Sequence, residues 1–167
     1  MLLRQATDRD TPALTAALLD AANWDGQARF TLEQLLADPR LAHWVTDWPR
    51  PTDFGTVAAD DDVRGAADGE VHGAAWCRLF DVTDPGYGYL ADDIPELMIG
   101  VPLVHRGRGV GSALLAAVIE QARVRGHHVM SLSVEDGNRA RLLYERVGFA
   151  VAGRNDNADT LRLQLDR

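Results

Sequence analysis

ELMIGVPLVHRGRGVGS, residues 96–112, is the stretch around which the rest of the chain is organised. Its first six residues, Glu96 to Val101, are a mostly apolar run of strand length, and its glycine-rich end leads directly into a long helical pattern. Glycine lets the backbone approach a ligand closely, and the first N–H groups of a helix have no partner within the helix. The stretch therefore predicts an anion-binding turn between a strand and a helix, of the kind that holds phosphate groups.

A second motif, NRARLLYERVGF at residues 138–149, follows the first at a short distance. Within the first stretch, Arg106, Gly109 and Gly111 have the spacing Arg-x-x-Gly-x-Gly. Together the two motifs resemble the GCN5-related N-acetyltransferase superfamily, whose acyl-CoA signature is Gln or Arg, two residues, Gly, one residue, then Gly or Ala. The resemblance covers residues 96–149, and the N-terminal half agrees with the family only in the order of its predicted elements.

Composition favours one globular domain that comprises residues 1–167, because 46% of the residues are hydrophobic and 25% are charged. No apolar run approaches the roughly 20 residues of a membrane span, and the N-terminus lacks the apolar core of a signal peptide. We therefore expect a cytoplasmic protein with no membrane partner. The single Cys77 excludes an internal disulfide and a cysteine-rich zinc site.

Charge excludes further classes of protein. All 17 basic residues are Arg, and a chain without Lys can form neither a Walker A loop nor a pyridoxal phosphate Schiff base nor an ordinary kinase site. The formal net charge of −8 argues against a nucleic-acid partner. A Rossmann dinucleotide site is disfavoured because Ser112 stands where its third glycine would be.

Apolar periodicity and turn residues predict an α/β fold, a mixed sheet with helices on both faces. The resemblance implies that the strands at 96–101 and 129–134 splay apart and hold the pantetheine arm of the cofactor between them. A loose polar loop is predicted at residues 60–69. The predicted strands are 2–6, 54–59, 71–80, 96–101, 129–134, 150–154 and 160–165, and the predicted helices are 11–22, one starting at 31, a short piece at 41–48, 110–126 and 138–148.

The resemblance also implies acetyl-CoA as co-substrate, and the cysteine and histidine spacings predict no metal. A backbone N–H near Gly100 or Val101 would bind the acetyl carbonyl, with Gly100 permitting a local bend, and Arg106 and Arg108 would add positive charge near the pyrophosphate. A plain helix N-cap is an equal interpretation of Asn138. The predicted cofactor-binding residues are Ile99, Gly100, Val101, Arg106, Gly107, Arg108, Gly109, Val110, Gly111, Ser112 and Asn138.

Acyl transfer to an amine needs a base for the amine and an acid for the leaving thiolate. Tyr144 matches the family's tyrosine, which is the general acid. Glu96 begins the signature strand, where relatives carry an acidic residue that removes the amine proton through a water, and we prefer it to Glu135. Cys77 is interpreted as core packing rather than as an acyl carrier. His127, His128 and His105 lack metal-ligand spacing, and His105 is expected to point to solvent beside Arg106.

The predicted activity is acetyl transfer by direct attack of an amine in a ternary complex, with a small molecule or a peptide as acceptor. Five aromatic residues are candidates for the acceptor pocket: Trp24, Trp44, Trp48, Tyr87 and Tyr89. The sequence is compatible with a homodimer and does not determine the oligomeric state. The alternative is a non-catalytic acyl-CoA-binding sensor, which would have the same cradle but would not consume thioester.

Overall fold

A computed structural model describes residues 1–60 and 69–165 of the chain. Residues 61–68 of the predicted polar loop lie outside the described residues. In the described part, the strands are β1 Leu2–Gln5, β2 Phe54–Ala59, β3 Val71–Arg78, β4 Glu96–Gly100, β5 Val129–Glu135, β6 Ala150–Asn155 and β7 Ala158–Gln164. The α-helices are α1 Thr11–Ala22, α2 Leu32–Ala37, α3 Pro39–Ala42, α4 Val110–Val124 and α5 Ala140–Val147, and short 3-10 turns lie at Asp8–Asp10 and Leu103–His105.

The strands form one sheet in the order β1-β2-β3-β4-β5-β7-β6. All neighbours are antiparallel except β4 and β5, which are parallel and pair at a single position, Glu96 opposite Ser131. Beyond that position the two strands diverge. The mixed sheet and the splayed central strands predicted from the sequence are confirmed.

Side chains alternate between the two faces of the sheet, and each face has its own apolar core. Trp76 and Met98, opposite each other on β3 and β4, lie on the face covered by α1. Cys77 and Leu97 lie on the face covered by α4 and α5. The fully buried anchors include Leu14, Leu18, Leu35 and Val57 on the first face, and Leu114, Leu115, Val118 and Met130 on the second.

The third predicted helix is shorter than expected. It begins at Pro39, capped by the Asp38 side chain on the Arg40 N–H, and ends at Ala42. Tighter turns replace it as far as Trp48, because Trp44 and Val45 bond three residues back. No helix in the described part of the chain is both long enough and apolar enough to cross a bilayer.

Candidate active site

A cleft of about 1140 Å³ opens where β4 and β5 diverge. It is bounded by α1, the α3 segment, the start of α4 and the start of α5. Arg108, alone among the predicted site residues, does not line it. The predicted residues that line it are Glu96, Ile99, Gly100, Val101, Arg106, Gly107, Gly109, Val110, Gly111, Ser112, Asn138 and Tyr144.

The N-terminus of α4 has the properties of an anion site. Gly109 precedes the helix with φ 81°, no side chain caps the helix, and the first bond within it runs from the Ala113 N–H to the Gly109 carbonyl at 3.0 Å. The N–H groups of residues 109–112 therefore have no partner within the helix. A β-carbon at Gly107 or Gly109 would meet no atom within 4 Å, so the space in front of these donors is open. This cradle fits a pyrophosphate, which the helix dipole also favours.

Arg106 has partners that the sequence did not suggest. Its guanidinium donates to the carbonyls of Val101 at 2.8 Å, Trp24 at 2.6 Å and Asp20 at 3.3 Å. Two of these carbonyls belong to the C-terminal end of α1 and the residues just after it, where a cation is favourable. The side chain thus ties α1 to the end of β4, and its charge lies at the cleft wall rather than on a free side chain.

Glycine is required at residue 100 for a reason other than the expected bend of the strand. A β-carbon at this position would fall 1.8 Å from the carbonyl oxygen of Ala17 in α1. Its φ lies outside the left-handed region, so the glycine is needed for space and not for backbone conformation. Glycine at residue 100 lets α1 lie directly against the end of β4 and form one wall of the cleft.

Glu96 is a buried carboxylate with one oxygen left without a partner. Its side chain is 2% exposed, and Oε1 accepts a hydrogen bond from the Gly88 N–H at 2.6 Å. Oε2 is buried with no hydrogen-bond partner among the described residues. Burial raises the pKa of Glu96 to about 8, against the opposing effect of the Gly88 bond. A carboxylate with a pKa near neutrality and a free oxygen is suited to accept a proton.

Glu135, the alternative base, lines the cleft but is already engaged. Its Oε2 accepts hydrogen bonds from Trp24 Nε1 and from a guanidinium nitrogen of Arg29, each at 2.8 Å. Cys77 is completely buried, and burial raises the pKa of its thiol, so it stays a protonated core residue. The geometry therefore favours Glu96.

Tyr144 projects from α5 and is 6% exposed. Its ring packs edge-on against Phe149, with centroids 5.9 Å apart. Burial raises the pKa of its phenol, so the hydroxyl keeps its proton at neutral pH and can donate it. Just before the helix, Asn138 Oδ1 accepts from the Ala140 N–H at 3.0 Å and Asn138 lines the cleft, but the N-cap position is Arg139, so the predicted N-cap at Asn138 is off by one residue.

The candidate acid and base belong to opposite faces of the sheet. Glu96 shares a face with Met98 and Gly100, against which α1 packs, whereas Tyr144 belongs to the core on the α4 side. Both line the cleft because the splayed strands let it pass through the sheet. One reactant can therefore approach from each face.

The candidate acceptor residues divide into two groups. Trp24, Trp44 and Tyr87 line the cleft. The other two do not: Trp48 is in the core and donates to the Thr7 carbonyl at 2.8 Å, and the Tyr89 hydroxyl bonds to Asp92.

Sequence reasoning missed two features near this group. Arg40 lines the cleft, with its guanidinium carbon 5.8 Å from the centre of the Tyr87 ring. Nothing in its local sequence marks it. Gly86 and Gly88 flank Tyr87 and bring the backbone against Glu96, which the Gly-Tyr-Gly-Tyr pattern could have suggested.

The prediction for His105 is wrong. Its side chain does not point to solvent: the residue is 8% exposed, and its ring stacks on that of His72 with centroids 4.1 Å apart. The two histidines are far apart in sequence, so their spacing could not reveal this contact.

Residues 17–149 match the Acetyltransferase (GNAT) family, over most of the chain and across both motifs. The protein belongs to this family. Among curated relatives, the L-amino acid N-acyltransferase MnaT of Escherichia coli is 36% identical over 99% of this chain and 95% of its own length. The L-methionine sulfoximine/L-methionine sulfone acetyltransferase of Salmonella typhimurium is 30% identical over the same shares.

A solved structure of a relative supports the same assignment. The structure of yncA from Salmonella typhimurium with its cofactor acetyl-CoA is 26% identical, covers 100% of this chain and 95% of its own, and superposes with a TM-score of 0.68. Family membership, the named activities of the relatives and the shared fold identify this protein as an acyltransferase.

Proposed function

We propose that this acyltransferase transfers the acetyl group of acetyl-CoA to the α-amino group of a free amino acid, by direct attack in a ternary complex. One observation carries the proposal: the anion cradle at the start of α4 and the Glu96 carboxylate, whose Oε2 has no partner among the described residues, line one cleft. The activities named for the two relatives from Escherichia coli and Salmonella typhimurium, acyl transfer to an L-amino acid and to L-methionine sulfoximine or sulfone, support the acceptor class.

The cofactor side of the cleft fits a long phosphorylated thioester. Acetyl-CoA supplies an activated acetyl group. The N–H groups of residues 107–112 would bind its pyrophosphate, with Asn138 beside them. Ile99, Gly100 and Val101 follow the single β4–β5 pairing, so backbone groups of this segment on the β5 side can bind the amides of the pantetheine arm and the acetyl carbonyl. The Val101 carbonyl is the exception, because it accepts from Arg106 Nε at 2.8 Å.

Two side chains carry the proton transfers. Oε2 of Glu96 accepts the proton of the attacking amine, directly or through one water. The Tyr144 hydroxyl donates its proton to the sulfur as the C–S bond breaks. Because Cys77 is completely buried on the other side of β3, a cysteinyl acyl-enzyme has no accessible nucleophile. Direct attack by the amine is therefore the mechanism proposed.

The acceptor side of the cleft suits an amino acid. Arg40 is 73% exposed and, among the described residues, its one ion pair is a 3.9 Å contact with Asp38, so its guanidinium can take up a carboxylate. It lies over Tyr87, whose neighbours Gly86 and Gly88 contact Glu96. An α-carboxylate at Arg40 and an α-amine at Glu96 would place the amino acid side chain among the cleft-lining aromatics, Trp24, Phe30 and Trp44.

The test is release of CoA thiol from acetyl-CoA, with the N-acetylated product identified by mass spectrometry. The panel contains L-methionine, its sulfone and sulfoximine, several other L-amino acids, L-methionine amide, a peptide with a free N-terminus, and no acceptor. The proposal expects turnover with at least one free amino acid and a much higher KM for the amide. Turnover only with the peptide would overturn the acceptor class, and acetyl-CoA binding without thiol release from any amine would favour the sensor.

A further inference from the structure

Two histidines and two carboxylates meet near the start of β3 and the 3-10 turn that precedes Arg106, and none of the four lines the cleft. His105 ends the 3-10 turn at Leu103–His105, and His72 lies in β3; their rings stack at 4.1 Å with an interplanar angle of 3°. Nε2 of His105 is 2.9 Å from Oε1 of Glu70. Nε2 of His72 is 2.9 Å from Oδ1 of Asp60.

Two imidazole nitrogens in this cluster are buried and have no hydrogen-bond partner within residues 1–60 and 69–165. One is Nδ1 of His105. The other is Nε2 of His72, whose approach to Asp60 is close enough for an ion pair but out of line for a hydrogen bond. A buried polar atom without a partner is costly and uncommon in native proteins.

We propose that Glu70, His72 and His105 bind a divalent transition-metal ion of the zinc class, with Asp60 beside them as a further oxygen ligand. One ligand atom from each of the three residues lies within 4.8 Å of the others. With bonds of about 2.0–2.1 Å, the ligand atoms of a tetrahedral zinc ion are about 3.4 Å apart. Rotation of the side chains would bring the three ligand atoms to these distances. The rotation also unstacks the rings, because one ion cannot lie in two parallel ring planes.

The donor types select the class of ion. Two imidazoles with carboxylates suit zinc and its neighbours in the first transition row, whereas calcium and magnesium prefer oxygen ligands throughout. The Glu70 and Asp60 side chains are 65% and 52% exposed, so the ion has a route from solvent. The bound ion would cross-link β3 to the turn that leads into Arg106 and the cradle. This site differs from the sequence-based expectation of no metal. Its residues come from separate segments of the chain and meet only after folding.

Zinc binding by the untagged full-length protein tests the proposal, measured by competition with a chromophoric chelator. We expect one saturable site per chain. Glu70→Gln and His72→Ala should each weaken binding by at least about 10-fold, and His128→Ala, which changes an exposed histidine elsewhere, should leave it unchanged. Zinc should also raise the Tm of the wild-type protein but not that of Glu70→Gln.

Two results would overturn the proposal: no saturable zinc binding by the wild-type protein, or the same affinity in Glu70→Gln as in wild type. Because Glu70 is exposed, Glu70→Gln keeps the test decisive even where His72→Ala does not fold. Binding that His128→Ala weakens as much as Glu70→Gln does would point to scattered surface histidines and would also count against the site.

Discussion

A β-carbon built on Gly86 would fall 2.0 Å from Oε2 of Glu96, so the backbone of residue 86 lies directly against the free oxygen of the candidate base. The same turn supplies the Gly88 N–H that binds the other oxygen. The absence of a side chain at Gly86 therefore leaves room for the Glu96 carboxylate, ten residues later in the chain.

Gly86→Ala should displace the Glu96 carboxylate and lower kcat by about 10- to 100-fold, the effect of a misplacement near 1 Å. The Kd for acetyl-CoA should stay unchanged, because the cradle is formed by other residues. Steady-state kinetics and calorimetry measure the two effects. Gly153→Ala is the control, since its β-carbon makes only an ordinary contact at 3.8 Å. Wild-type kcat in Gly86→Ala would count against a catalytic role of the carboxylate.

Glu96→Gln tests the same group through pH. With the pKa of Glu96 at about 8, about a tenth of the wild-type enzyme carries the ionised base at pH 7. Wild-type kcat/KM should therefore rise up to and through pH 8 as Glu96 ionises. The kcat/KM of Glu96→Gln should rise less over the same range, because glutamine does not ionise. The deficit should shrink at pH values where the acceptor amine is itself deprotonated. A proportional loss at every pH would indicate a structural role.

The raised pKa of Glu96 also predicts how the unfolding free energy of Glu96→Gln compares with that of the wild type as pH changes. The pKa of Glu96 is raised from 4.5 to about 8, so the folded state holds a proton that the unfolded state has lost between these values. Unfolding free energy in the wild type thus falls as pH rises through that window. Glu96→Gln lacks this cost, and its stability relative to wild type should improve by a few kcal/mol from pH 4.5 to pH 8. Urea unfolding at both pH values measures the difference.

Gly109→Leu should abolish acetyl-CoA binding while the protein still folds. The side chain would fill the open space before the first N–H groups of α4 and would strain a backbone with φ 81°. Gly126→Leu is a matched control at the other end of the same helix, with φ 82° and no atom within 4 Å of its β-carbon. Calorimetry should show lost affinity for Gly109→Leu only. Equal affinity in the two variants would place the pyrophosphate elsewhere.

Tyr144→Phe should lower kcat by something on the order of 10²–10⁴-fold, because it keeps the buried ring against Phe149 but removes the proton donor. Affinity for acetyl-CoA and Tm should change little. The loss should be smaller with an acyl donor whose thiol is a better leaving group. Tyr89→Phe removes a hydroxyl that bonds to Asp92 outside the cleft, and it should leave kcat unchanged. Normal turnover by Tyr144→Phe would leave only the cofactor-binding role of this region.

Arg40→Gln should raise the KM for a free amino acid by at least about 10-fold, the loss of a charge-assisted contact to its carboxylate. The KM for the corresponding amide should hardly change, because the amide has no carboxylate to lose. Arg162→Gln, an exposed arginine on β7, is the control. A parallel rise of both KM values would show that Arg40 acts through the shape of the pocket.

The sequence predicted the order of strands and helices, because apolar periodicity and glycine turns are local signals. The resemblance carried by residues 96–149 implied the cofactor-binding residues, of which all but Arg108 line the cleft. The sequence did not predict the partners of Arg106, the packing of α1 on Gly100 or the contact of His105 with His72. Each of these depends on segments that are distant in sequence and adjacent only after folding. The choice between Glu96 and Glu135 likewise rests on burial and on Arg29 and Trp24, which no local pattern displays.

The single pairing between β4 and β5 makes the protein two half-sheets joined along a weak seam. The first half, β1–β4 with α1, carries Glu96 and the acceptor wall, and the second, β5–β7, continues into α5 with Tyr144. Small rotations of one half against the other would change the distance between Glu96 and Tyr144. The core under α4 would have to absorb them, because it contains residues of both halves, Leu97 of β4 and Met130 of β5. A thioester arm bound between β4 and β5 would hold the two halves together. Binding of the thioester would then also determine how rigid the cleft is when the acceptor binds.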